Sequence, residues 1–198
     1  MKTLLLIDLQ NDFMPGGALA VPGGDEVIPV VNALMPQFER VVATQDWHPT
    51  DHGSFAANHP GREVYEQIDL NGLPQTLWPV HCVQNTGGAL FAPGLDTRRI
   101  ERVFPKGTDR GIDSYSGFYD NGHRASTGLG AWLRERGVTA LTVAGVATDY
   151  CVKFTVLDAL SEGFEVELLA AGCRGVNLQA GDAEKALEEM ATAGARVV

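Results

Sequence analysis

The chain is short of cysteine, of long apolar runs and of clustered positive charge, and each shortage closes off a class of protein. Three cysteines in 198 residues make no disulfide framework, and thiols stay reduced in cytosol, so each Cys is judged by its own surroundings. The apolar run Leu4-Leu5-Leu6-Ile7 is stopped by Asp8, too soon for a signal h-region, and no later stretch approaches a membrane span. A soluble, cytoplasmic protein without membrane contact is expected. Against 25 Asp and Glu stand only 15 Lys and Arg, a formal charge of -10, and phosphate binding needs clustered cations to displace counterions. No nucleic-acid partner is expected. Repeats, linkers and low-complexity tracts are missing too, so residues 1–198 are expected to form one domain.

What is present is an alternation of strand and helix patterns. Continuous apolar runs at residues 2–8, 40–44, 102–104, 140–145, 165–169 and 195–198 read as strands buried on both faces of a parallel sheet. Helical periodicity fills residues 25–38, with Val27, Val30, Val31 and Leu34 on one stripe, and residues 129–136, 149–162 and 182–193. Such βαβ units predict an α/β protein: a three-layer α/β/α sandwich on a mostly parallel sheet of about six strands, with ligands at the carboxyl strand ends. The segment 49–100 is rich in Gly, Pro, Asn and Asp, and a stretch of that length either serves function or holds short elements of its own.

Several residues could carry chemistry. Asp8 ends the first strand in IDLQNDF, where it is a ligand or catalytic group or else a turn cap. Asp12 reads as a loop hydrogen-bonder, and Phe13 as core or pocket wall. Cys151, in GVATDYCVKF, falls in the first turn of a helix, with Thr148 or Asp149 as N-cap; that setting favours thiolate, although a free Cys is more commonly inert. Cys82 and Cys173 lack such a setting and read as inert. Lys106 ends another strand, so with Asp8 and Cys151 it would complete a nucleophile, a proton acceptor and a balancing charge, or else be a solvated surface lysine. In QDWHPTDHGSF, Asp46, His48 and His52 lie within seven positions, and His81 follows in WPVHC. A carboxylate and imidazoles suit Zn, Fe(II), Mn or Co, or form a polar loop with incidental histidines. His59 and His123 read as surface residues.

At these residues the sequence resembles the nicotinamidase (pyrazinamidase) family of isochorismatase-like cysteine hydrolases, nearly end to end: IDLQNDFMPGGALAV, VATQDWHP, SFAANHPG, LWPVHCVQNTGGA, PKGTDRGIDSYSGFYDN, GVATDYCVKFTVLDAL and GCRGVN. The resemblance implies an isochorismatase-like fold and a catalytic triad of Asp8, Lys106 and Cys151. It implies a single Zn, Fe or Mn ion on Asp46, His48, His52 and His81, and a cis peptide between Val146 and Ala147. The N–H groups of Ala147 and Cys151 would form an oxyanion hole, and Phe13, Trp78 and Tyr115 the pocket walls. The activity implied is hydrolysis of nicotinamide, and of pyrazinamide, through a Cys thioester, within NAD salvage. The alternatives are another amide or carbamoyl hydrolase, a non-catalytic metal-binding or interaction domain, and, ranked last, an ether hydrolase acting on isochorismate. A homo-oligomer is compatible with the sequence, which leaves the state of assembly open.

Overall fold

The computed structural model describes residues 2–198. Its strands are β1 (Thr3–Ile7), β2 (Arg40–Asp46), β3 (Gln67–Leu70), β4 (Leu73–Thr76), β5 (Arg102–Lys106), β6 (Ala140–Val146), β7 (Glu165–Arg174) and β8 (Arg196–Val197). The helices are α1 (Val27–Leu34), α2 (Leu129–Glu135), α3 (Lys153–Ser161) and α4 (Asp182–Ala193). Six strands form one sheet in the order β5-β2-β1-β6-β7-β8, with every neighbouring pair parallel. The three-layer α/β fold expected from the alternation is therefore present.

Residues of β1 are buried throughout because the strand is covered on both faces, and successive side chains leave a strand on opposite sides. Leu4 and Leu6 join a core with Val27, Ile28 and Val31 of α1, whereas Leu5 and Ile7 join one with Leu133 of α2, Val156 of α3 and Met190 of α4. At about 1.5–3 kcal/mol for each buried aliphatic side chain, this central strand anchors both layers. Gly145 lets β6 lie close beside it: at φ +141, a Cβ there would overlap the Ile7 backbone.

The buried face of α1 differs from the expected stripe, since Ile28 is buried while Val30 and Leu34 are half-buried. The helix itself is shorter than residues 25–38, because a 3-10 turn precedes it and another, containing Pro36, follows it. Within residues 49–100 lies an antiparallel hairpin of β3 and β4. The helix expected from residue 149 begins as a π-turn over Thr148–Val152 before α3 takes over. Neither Thr148 nor Asp149 caps it with a side-chain hydrogen bond; the Asp149 carboxylate instead accepts the N–H groups of Val176 and Asn177 at 2.9 and 2.7 Å.

Strand order positions the site. From β1 the chain builds outward through β2 to β5, then crosses back to add β6, β7 and β8 on the other side. The order reverses between β1 and β6, and a crevice opens at the carboxyl ends of strands flanking such a reversal.

Candidate active site

Four strand ends meet in this crevice. Asp8 directly follows β1, Asp46 ends β2, Lys106 ends β5, and Cys151 follows β6 in the π-turn. The four lie far apart in sequence, yet their side chains surround one ammonium. Lys106 Nζ stands 2.9 Å from Asp8 Oδ2, 2.5 Å from Asp46 Oδ1, 3.3 Å from Cys151 Sγ and 2.9 Å from the Ser114 carbonyl oxygen. Burying a charge is costly unless it is paired, and this lysine side chain has no exposure. Burial, the largest influence, works against the ammonium, but Asp46, Asp8 and Cys151 outweigh it and hold its pKa well above the ordinary lysine range.

The two carboxylates are not equivalent. Asp8 Oδ1 accepts the Thr44 hydroxyl at 2.6 Å, while Oδ2 has its ion pair with Lys106 but no hydrogen bond among the described residues. Burial raises the Asp8 pKa against the opposing pull of Lys106, and Asp46 adds to the rise. At Asp46 burial also pushes upward, yet Lys106, His48 and His81 together prevail and hold that carboxyl well below its ordinary range.

At Cys151 burial pushes the thiol well above its ordinary range; Lys106 opposes this, and Asp8 and Asp46 reinforce it. The resting group is a thiol that needs a base. Cys82 and Cys173 are buried and free, and burial pushes Cys173 up to about 12.

The histidines divide into two kinds. Nδ1 of His48 is 2.8 Å from the Gly107 carbonyl oxygen, and Nδ1 of His81 is 2.8 Å from that of Pro79. A carbonyl only accepts, so both rings carry their proton on Nδ1 and present a bare Nε2. Those two nitrogens and an Asp46 oxygen lie within 4.8 Å of one another. Burial, with His48 nearby, lowers the His81 pKa to about 4. His48 is raised: burial pulls it down, but Asp46 more than compensates. His52 does not join this set and groups with His48 and Asp113 instead. Its Nδ1 lies 2.7 Å from the Ser54 hydroxyl and 3.2 Å from the Ser54 nitrogen, while its Nε2 is a buried atom without a partner among the described residues. Of the two histidines read as surface residues, His123 is exposed, whereas His59 is half-buried with Nε2 2.7 Å from the Gly53 carbonyl.

One carboxylate and two bare imidazole nitrogens, each ring fixed by a carbonyl behind it, fit a divalent cation. The same Asp46, His48 and His81 line a pocket of about 370 Å³, its mouth included. Cys151, Ala147 and Asp113 border it, and its apolar walls are Phe13, Trp78, Tyr115, Tyr150, Leu19 and Val176. The Trp78 and Tyr150 rings meet edge to face with centroids 4.8 Å apart, and Trp78 Nε1 donates to the Tyr115 hydroxyl at 3.1 Å. The peptide bond between Val146 and Ala147 is cis.

Residues 2–198 match the isochorismatase domain model. The chain belongs to the isochorismatase family. It is 54% identical to the nicotinamidase of Escherichia coli strain K12 over 98% of this chain and 92% of that one. Among solved structures, an Acinetobacter baumannii nicotinamidase/pyrazinamidase superposes with a TM-score of 0.96 at 44% identity, covering 100% of this chain and 95% of that one. The pyrazinamidase of Pyrococcus horikoshii in complex with zinc superposes with a TM-score of 0.81 at 40% identity, covering 100% and 98%.

Within this isochorismatase-family site, Asp8, Lys106, Cys151, Asp46, His48 and His81 come together, and Phe13, Trp78 and Tyr115 line the pocket as expected of walls. Sequence reading missed Thr44, Asp113, Ser114 and Tyr150. Asp113 gave a weak signal, a carboxylate inside IDSYSGF, but only the fold of the 107–115 loop brings it to His48 and His52.

Proposed function

We propose that the chain is a nicotinamidase that hydrolyses nicotinamide to nicotinate and ammonia through a thioester on Cys151. The observation that carries the reading is the shared ammonium of Lys106, in contact with the Asp8 carboxylate and with the Cys151 thiol and Asp46 carboxylate that border an aromatic-walled pocket. A flat pyridine ring fits between such walls, and pyrazinamide, with a ring of the same shape, is a second substrate.

Asp8 takes the Cys151 proton as Sγ attacks the amide carbon, and its burial-raised pKa makes it a stronger base than an ordinary carboxylate. The carbonyl π electrons move to oxygen, where the N–H groups of Ala147 and Cys151 receive them; preorganised donors of this kind are worth about 2.7–4 kcal/mol each. Protonated Asp8 returns its proton to the nitrogen as the C–N bond breaks, and ammonia leaves. Water then attacks the thioester, Asp8 takes its proton, and the sulfur departs to recover a proton. Lys106 offsets one of the two negative charges of the group, at rest and after the proton has moved from sulfur to Asp8. Asp46, His48 and His81 would hold a divalent cation, which would supply a Lewis-acid anchor for orienting the pyridine ring. The donor set accepts Zn, Fe or Mn. His52, whose buried Nε2 has no partner among the described residues, is the further donor that the resemblance implies for that cation.

Ammonia release from nicotinamide, set beside a carbamoyl substrate and measured on metal-replete protein, tests the reading. Turnover of nicotinamide is expected; turnover of the carbamoyl compound alone overturns it. Among the described residues no helix is long and apolar enough to cross a membrane, and the enzyme is proposed to act in the cytoplasm on a diffusible substrate.

A further inference from the structure

Asp8 is the first of four polar side chains on the turn that follows β1, and two of the others, Gln10 and Asp12, reach the residues that hold the metal donors. Gln10 is fully buried. Its Oε1 accepts the Asp46 N–H at 2.8 Å, and its Nε2 donates to the Asp46 carbonyl at 2.8 Å and to the Ala89 carbonyl at 2.9 Å. One planar amide thus grips both backbone groups of the residue whose carboxylate serves the site. Asp12 Oδ2 accepts the N–H of Cys82 at 2.7 Å, and Cys82 directly follows His81. Cys82 has φ +46, in the left-handed region that residues other than Gly adopt only when the surroundings enforce it. The Cys82 carbonyl in turn accepts the His48 N–H at 3.0 Å. Asp12 therefore holds a turn with His81 on one side and the backbone of His48 on the other.

We propose that Gln10 and Asp12 are positioning residues of the metal centre: Gln10 sets Asp46, and Asp12 sets the turn that carries His81 and braces His48. The proposal rests on the reading of Asp46, His48 and His81 as metal donors. Neither residue needs to touch substrate or the reacting atoms. The turn after β1 would then organise both parts of the site, with Asp8 for proton transfer and Gln10 and Asp12 for metal geometry. A buried amide that merely needed partners would be satisfied by any carbonyls nearby. Gln10 spends two of its three bonds on Asp46 alone.

The test is the affinity of purified, metal-stripped protein for zinc, read by competition with a chromophoric chelator, together with the visible spectrum of the Co(II)-loaded protein. Circular dichroism gives the folded fraction. Gln10→Met and Asp12→Ala should weaken zinc binding by about 10–100-fold and alter the Co(II) spectrum, in line with the usual effect of removing a group that orients a ligand. Asp12→Asn, whose amide oxygen can still accept the Cys82 N–H, should recover most of the affinity. Leu133→Ala, a cavity in the core on the opposite face of the sheet, should lower stability and leave zinc affinity alone. Should Gln10→Met fail to fold, Gln10→Glu, which retains the acceptor for the Asp46 N–H and loses both donors, takes its place with the same expectation. Zinc affinity within twofold of wild type in folded Gln10 and Asp12→Ala variants overturns the proposal. Wild-type protein that binds neither zinc nor Co(II) overturns the metal reading beneath it, a result visible before any variant is made.

Discussion

Asp46 and Lys106 are joined at 2.5 Å, and through that contact the metal-donor set and the nucleophile set share one carboxylate. The other Asp46 oxygen faces Nε2 of His48 at 3.7 Å and of His81 at 3.9 Å. Sequence reading placed the two sets on different loops and gave them separate tasks. Parallel pairing of β2 with β5 sets Asp46 directly beside Lys106, so a charge change in one set is felt in the other.

Cys151→Ala should abolish ammonia release, a loss on the order of 10⁴-fold or more, with fold and metal content intact. Cys82→Ala and Cys173→Ala should act only through packing, because both thiols are buried and their pKa values lie above the ordinary range. Turnover near wild type in Cys151→Ala would sink the nucleophile assignment.

Asp8→Asn should lose acylation, since a carboxamide cannot take the thiol proton. Adding Lys106→Met should cost little further activity, because groups acting as one unit do not contribute additively. Independent, multiplicative losses in kcat/KM would show that the two do not form a unit.

Lys106→Met should also leave a pH signature in stability. The buried ammonium holds Asp46 below its ordinary pKa and opposes the burial-driven rise at Asp8. In wild type, the depressed Asp46 pKa gives stability that is present above the unfolded carboxyl pKa and lost as pH falls through the folded one. Without the lysine Asp8 rises further above its unfolded pKa and Asp46 loses the largest influence holding it down, so the stability from Asp46 shrinks and the cost at Asp8 grows as pH rises above the unfolded carboxyl pKa. The variant should therefore be about 3–5 kcal/mol less stable at pH 7, the usual cost of an unpaired buried charge, and the deficit should narrow toward pH 4. Urea melts across that range check it; a deficit independent of pH would mean that lost packing dominates.

Gly107→Ala tests how tightly His48 is seated. Gly107 has φ +63, and a Cβ there would overlap the His48 imidazole, whose Nδ1–H donates to the Gly107 carbonyl. Overpacking and the left-handed φ should together cost about 1–3 kcal/mol and weaken zinc binding as His48 turns. Unchanged melting and zinc affinity would mean that the ring yields without cost.

What could be read from the sequence follows a physical division. Long apolar runs such as β1 and β6 announce buried strands because both faces are covered, so the sheet was legible. The end of β7 was not: its last residues, Ala170 to Arg174, mix small and polar side chains that carry no periodicity. The β3 and β4 hairpin was hidden for a related reason, since Pro74 and polar residues mask its pattern. Asp8, Lys106 and Cys151 stood out as residue types at strand ends, but their mutual contact depends on strand order, a non-local property. Asp113, Thr44 and Gln10 acquire meaning only from tertiary contacts, and no local signal separates them from ordinary polar residues. The Cys151 environment shows the limit most directly, since a favourable helix start is outweighed by burial and two carboxylates.

Metal removal should change the nucleophile itself as well as substrate binding. Oxygens of Asp46 and Asp8 and the Cys151 sulfur lie within 4.8 Å of one another, so a cation on Asp46 offsets part of the negative charge that opposes the thiolate. Withdrawing it leaves that charge bare. The thiolate is then harder to form, and Cys151 should be alkylated more slowly at a given pH, with the midpoint of its alkylation profile displaced upward. Zinc, Mn or Fe(II) added back should return it. The pH profile of iodoacetamide labelling at Cys151, taken on chelated protein of verified metal content and again after reconstitution, measures the displacement, with ammonia release followed in parallel. Nicotinamide turnover should fall in the same samples for lack of an anchor at the pyridine nitrogen. A labelling profile that stays in place while turnover collapses would confine the cation to substrate orientation and deny that the charge shared between Asp46 and Lys106 reaches the thiol.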